Sequence, residues 1–232
     1  MSQDQLVLVP LWYVIFLLSV TCHEAAHAFA AHRGGDPTAY LGGQVTLNPL
    51  PHIQREPFGT ILVPLMSFLW AGWMMGWASA PYDPRWESRH PRRAAAMAAA
   101  GPAANLVLAL TALFLLKAGL SAELWMPADP STFRFDRMVV AAEGAPDLMD
   151  GAGRFLSVMF GLNLLLFVFN LIPVPPLDGA GVLAGLFEPA RRVRDQLLNS
   201  GAGGMIGLVV AWLVVGRLFS PLLGSILRWL YG

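Results

Sequence analysis

Residues Thr21–Ala31 read TCHEAAHAFAA, a polar pattern set into an otherwise apolar run. His23 and His27 are four apart, so on a helix they stand one turn above the other on one face. Two imidazoles so placed can grip one tetrahedral zinc ion, and Glu24 between them can act as general base toward the water that such an ion activates. The upstream run Leu6–Val20, LVLVPLWYVIFLLSV, is almost wholly apolar. Ionisable residues are expensive in such a segment, and where they occur they mark function. The competing reading is a chance HExxH or a pair of satisfied core histidines, and it is the weaker one in a chain with only 5 histidines.

Composition sets the solvent. Of the 232 residues, 56% are hydrophobic and 13% charged, and the mean hydropathy is +0.55. A soluble domain carries about a quarter charged residues, so the chain is expected to be an integral membrane protein in a lipid bilayer. The formal net charge is zero and no basic block is present, which excludes nucleic acid as a partner. Cys22 is the single cysteine, so intramolecular disulfides and thiolate zinc clusters are out. It is expected to be a small buried residue beside the motif. The opening MSQDQ lacks a positive n-region, so the first helix is read as retained.

Outward from the motif, Gly34-Gly35-Asp36-Pro37 stops the first segment, expected over about Leu6–His32. Ala39–Leu47, AYLGGQVTL, reads as one or two short strands. Phe58–Trp77 is apolar but carries Pro64, Gly72 and Gly76, which suits either a full span or a re-entrant segment. Ala94–Lys117 is a clear span rich in small residues that favour close helix packing. Ser121–Asp150 is a hydrophilic, acidic loop, and Phe155–Ile172 a further span. Gly203–Leu218 reads as a last span, with Pro221 separating it from a terminal helix ending at Tyr231. The expected architecture is an all-α polytopic membrane protein. It has four to five transmembrane helices, a re-entrant segment and a small membrane-associated β element. One domain covers 1–232, with a core over about 6–185 and C-terminal helices over 200–231.

A catalytic zinc site needs a third protein ligand and an open position. Of the acids, Asp178 alone ends an apolar span, wrapped by Pro173, Pro175 and Pro176 and followed by Gly179. Backbone freed by prolines is tolerated at membrane depth only around a buried polar site, so Asp178 is the expected third ligand. An interfacial capping aspartate is the alternative. His52, in a loop, is expected to be solvated and is left out of the metal shell.

HEAAH at 23–27, GPAAN at 101–105 and NLIPVPPLDG at 170–179 resemble, in order and spacing, the signatures of the site-2 proteases, intramembrane zinc metalloproteases. The Leu47–Pro49 and Gly76–Ala78 stretches resemble a compact prokaryotic branch lacking PDZ-like and cystathionine-synthase-type domains. The resemblance implies His23, His27 and Asp178 as Zn2+ ligands and Glu24 as general base and proton shuttle. It implies Asn105 and Asn170 as donors near the site, either to an oxyanion or to the ligands; interhelical hydrogen bonding is the other role for both. The substrate would be a transmembrane protein, and the sequence leaves the oligomeric state open. A catalytically silent homologue acting as scaffold or transporter is the alternative, against which the intact Glu24 argues. A histidine-rich di-iron oxidase would need more histidines than this chain has.

If Asp178 is to reach the histidines, the two spans must run in the same direction, and a re-entrant Phe58–Trp77 satisfies that parity. Arg33, Arg55, Arg85, Arg89, Arg92, Arg93, Arg191, Arg192 and Arg194 then share one side, opposite the acidic loop. The positive-inside rule makes the arginine side cytoplasmic, places the N-terminus outside and points to the plasma membrane.

Overall fold

A computed structural model describes residues 6–129 and 134–232. Among the described residues four helices are long and apolar enough to cross a membrane. These are α1 (Val9–Arg33), α6 (Pro91–Ser121), α7 (Asp147–Asn170) and α10 (Gly203–Tyr231). Shorter helices connect them: α2 (Thr38–Leu41), α3 (Leu50–Arg55), α4 (Val63–Ala71), α5 (Pro84–Arg89), α8 (Asp178–Leu186) and α9 (Glu188–Asn199). A π-helical turn over Phe58–Leu62 leads into α4. The fold is an all-α polytopic membrane protein with one small sheet.

Helix α6 is the hub, packing against α1, α7 and α8. Its small residues Ala94, Ala95, Ala98, Gly101 and Ala109 are buried, which lets neighbouring backbones approach. Side-chain bonds show which helix ends share a side. Gly34, just past α1, accepts from Trp86 Nε1 at 3.0 Å and Arg93 Nη1 at 3.1 Å. Asp36 Oδ2 accepts the Asp83 amide at 2.7 Å, and Arg194 pairs with Glu87 at 2.5 Å. At the other end Lys117 Nζ donates to Leu230 O at 2.9 Å, and Tyr231 OH to Met138 O at 2.8 Å. Helices α1 and α7 therefore run toward the arginine-rich end, and α6 and α10 away from it.

The apolar stretch Phe58–Ala71 falls below the length of the four spanning helices. At 1.5 Å per residue it reaches roughly 21 Å, against a hydrocarbon core of about 30 Å. Gly72, in the left-handed conformation (φ 76°), ends it, and the chain doubles back. Ser67 Oγ receives the Met75 amide at 2.9 Å, and the Trp77 amide donates to Gly59 O at 3.1 Å. A Cβ at Gly59 would run into Trp77 O, so only glycine permits this approach. The segment enters and leaves on one side, as the re-entrant reading requires.

Several expectations change. Ala39–Leu47 contains no strand: Asp36 Oδ1 takes the Thr38 amide at 3.0 Å and the Thr38 hydroxyl at 2.5 Å, starting the helical turn α2. Gly42 and Gly43 then close that turn, Gly43 at φ 71°. The small β element lies in the acidic loop, where β1 (Trp125–Pro127) pairs antiparallel with β2 (Val139–Ala141). Pro221 does not split the C-terminal segment, because α10 continues through it as one helix. A membrane helix absorbs the lost bond more readily than a soluble one. The span expected from Ala94 begins at Pro91, a residue suited to the first helical turn. Cys22 is only half-buried. His52 is not solvated: it is 1% exposed, its Nε2 lies 3.2 Å from Thr46 O, and its Nδ1 has no hydrogen-bond partner.

Candidate metal centre

Helix α1 carries His23, Glu24 and His27, all buried. The imidazoles meet edge to face, their Nε2 atoms 3.0 Å apart. Asp178 opens α8 directly after the proline-broken stretch that follows α7. Its carboxylate reaches both rings: Oδ2 lies 3.1 Å from His23 Nε2 and Oδ1 3.3 Å from His27 Nε2. One donor atom from each of the three residues falls within 4.8 Å of the others.

The far side of each ring is occupied. His27 Nδ1 is 2.7 Å from Met97 O, and His23 Nδ1 is 2.6 Å from Asn105 Oδ1. Both partners are acceptors, so both Nδ1 atoms carry the proton and both Nε2 atoms present lone pairs. Asp178 Oδ2 is buried and has no hydrogen bond among the described residues. Lone pairs converging in a buried pocket repel unless a cation lies among them, and a nitrogen–nitrogen–oxygen set suits zinc. Gly101 makes the room: a Cβ there would strike the Nε2 atoms of both histidines. Two imidazoles and one carboxylate leave a fourth tetrahedral position open.

Asn105 sits at the middle of α6, fully buried, and both of its amide protons are used: Nδ2 donates to Asn163 Oδ1 at 2.8 Å and toward Ser19 O at 3.4 Å. It touches the metal cluster through His23, with no proton left for an oxyanion. Asn170, at the end of α7, is half-buried and donates Nδ2 to Leu166 O at 3.0 Å on its own helix. Asn163 and Ser19 were not singled out in the sequence. Each had a signal: Ser19 lies four residues before His23 and Asn163 seven before Asn170, polar positions on a functional face of an apolar helix.

The profile of peptidase family M50 matches residues 11–215, and the chain belongs to this family, that of the site-2 proteases. It is a zinc metalloprotease of the membrane. The chain is 35% identical over 223 residues to "Putative zinc metalloprotease YwhC" of Bacillus subtilis (strain 168), covering 96% of this chain and 85% of that one. It is 30% identical over 174 residues to Rip2 of Mycolicibacterium smegmatis, named in the same terms, covering 75% of this chain but 56% of that one. Rip2 of Mycobacterium tuberculosis (strain ATCC 25618 / H37Rv) is 30% identical over 184 residues. No solved structure matches the chain.

Proposed function

We propose that the protein is an intramembrane endopeptidase that cleaves transmembrane substrates, with His23, His27 and Asp178 holding the zinc. The observation that carries this reading is the convergence of Asp178 on two histidines that share a membrane-spanning helix with the buried Glu24. When bound, zinc supplies Lewis acidity and lowers the pKa of water. Glu24 takes the proton of the attacking water and returns it to the leaving amine. Asn105 holds His23 in its ligating orientation, and Asn170, with one amide proton uncommitted, donates to the negative oxygen that develops on the substrate.

A membrane helix hides its peptide bonds in its own hydrogen bonds, so the substrate must be extended before cleavage. The presenting element is the return segment Gly76–Ala80, in place of the strand expected at Ala39–Leu47. Bonds to the enzyme come from Met75 N, just before it, to Ser67 Oγ, from Trp77 N to Gly59 O, and from Gln44 Nε2 to Ser79 O. In an extended chain the amides and carbonyls of Ala78 and Ala80 point the other way. Among the described residues these groups form no hydrogen bond. The segment starts against the ring of Phe16, seven residues before His23 on one face of α1, and ends where Asp83 bonds Asp36 beyond that helix. Ala78 and Ala80 thus pass the depth of the metal donors, where an unwound substrate would pair with them by β-addition. The arginine-rich end, nearer the site, is the cytoplasmic one.

The direct test is Glu24→Gln in liposomes with a transmembrane peptide substrate. Zinc content should stay at the wild-type level while cleavage disappears. Wild-type cleavage by this variant would remove the mechanism.

A further inference from the structure

The two histidines are oriented by different means. His27 Nδ1 faces a backbone carbonyl, Met97 O, which can only accept. His23 Nδ1 faces a side-chain amide, which would serve equally well as donor if it turned over. Turned over, Asn105 would offer N–H to the ring, move the ring proton to Nε2 and remove the lone pair on the metal side. Something must hold that amide the right way round.

We infer that Asn163 and Ser19 are positioning residues that fix the direction of the Asn105 amide and, through it, the His23 tautomer that leaves a lone pair on Nε2 toward the metal. The polarity follows from fixed acceptors. The Ser19 hydroxyl donates to Ile15 O at 2.7 Å and is left as an acceptor. Asn163 Nδ2 lies 2.9 Å from Ser19 Oγ and 2.9 Å from Met159 O. An Asn163 turned over would set its oxygen against the Met159 carbonyl. Its Oδ1 must therefore face Asn105, which must present Nδ2, at 2.8 Å. Asn105 Oδ1 is then left for His23 Nδ1. Ser19, Asn105 and Asn163 are each 0% exposed, so no water competes for these groups. The chain links α1, α6 and α7, and its direction is set by backbone carbonyls two side chains away from the ligand. Loss of a group that orients a histidine ligand in this way lowers metal affinity about 10- to 100-fold.

The inference rests on the zinc site proposed above, and its test needs no proteolysis. Zn2+ affinity is measured on the full-length protein in detergent by competition with a chromophoric chelator. The imidazole Nδ1–H signals of the zinc-loaded protein are followed by 15N–1H NMR. Asn163→Leu should weaken zinc binding about tenfold or more and shift or abolish the His23 Nδ1–H signal, leaving that of His27 in place. Asn163→Asp keeps an acceptor toward Asn105 and, buried and protonated, a donor toward Met159 O, so it should restore most of the affinity. Ser19→Ala leaves Asn163 anchored on Met159 O and should cost only a few-fold; it also tests the relay if Asn163→Leu misfolds. Wild-type affinity and an unmoved His23 signal in Asn163→Leu would overturn the inference. So would equal losses in the Leu and Asp variants with both histidine signals displaced. Failure of the wild-type protein to bind zinc would instead sink the metal site itself.

Discussion

The spanning helices around the histidine pair and the re-entrant segment beside them treat polar groups in opposite ways. Along α1, α6 and α7 the buried side chains from Ser19 to Asn163 and Asn105 use their donors on identified acceptors, and the bonds run from helix to helix. Along Trp77–Ala80 the Trp77 amide and the Ser79 carbonyl are bonded to the enzyme, and the amides and carbonyls of Ala78 and Ala80 have no partner among the described residues. Inside a membrane an unpaired amide costs several kcal/mol unless water or another chain reaches it. A closed network suits a part that must not move, and an open edge suits a part that awaits a second peptide.

Substitutions in the two regions should therefore separate metal binding from substrate handling. The largest effect is expected at Asp178→Ala, which leaves only the two imidazoles. Zinc affinity should fall by more than about a hundredfold, beyond the usual loss for a group that merely supports a ligand. Unchanged zinc stoichiometry would show that another residue completes the set. Gly101→Ala comes next: its methyl would collide with both Nε2 atoms, and zinc affinity should drop about tenfold or more as α6 is pushed away. If Gly101→Ala binds zinc normally, the cradle is wider than the packing indicates. In the open region, Ala78→Pro and Ala80→Pro each delete one outward amide and leave the metal donors intact. Each should lower kcat/KM about tenfold, near 1.4 kcal/mol, with zinc content unchanged. Cleavage at the wild-type rate by both would mean that the edge does not receive substrate.

The smallest effect concerns the turn that fastens the open segment to α1. Burial alone would raise the Asp36 carboxyl, but the Thr38 hydroxyl and the Asp83 and Thr38 amides hold it below its ordinary value. A depressed carboxylate contributes stability above its unfolded pKa of about 4, and the contribution is lost as pH falls through the lower folded value. Thermal unfolding in detergent should show Asp36→Asn about 1 kcal/mol less stable at pH 7. The difference should shrink toward pH 3. A gap that stayed constant with pH would assign the loss to packing.

The contrast also explains what could be read before folding. The clustering of His23, His27 and Asp178 was legible because ionisable residues in an apolar run have few alternatives, and because the His23–His27 spacing is a helix period. The re-entrant segment was legible from Pro64, Gly72 and Gly76 combined with parity. The network was not: Asn163 and Ser19 are single polar residues in helices, and their partners lie up to 144 positions away in sequence. The strand expected at Ala39–Leu47 failed because Asp36 and Thr38 organise a helical turn through side-chain bonds that outweigh the β-branched and aromatic composition. The placement of the β element in the acidic loop rests on Trp125, whose ring fills the space left by Gly119 and whose Nε1 donates to Met149 O at 2.7 Å. Such a long-range fit has no local signal.

The separation of Asp178 from the histidine pair has a consequence for how the protein is made. About 155 residues of synthesis lie between His23 and Asp178, roughly 8–30 s at ordinary translation rates. Helix α1 enters the bilayer with two imidazoles and Glu24 before Met97 or Asn105 exists to orient the rings. On the proposed ligand set the nascent chain is for that interval a two-histidine membrane helix without Asp178, and the site is completed only after the third spanning helix has crossed. The order in which the ribosome delivers the ligands thus delays the peptidase until most of its own membrane fold is in place.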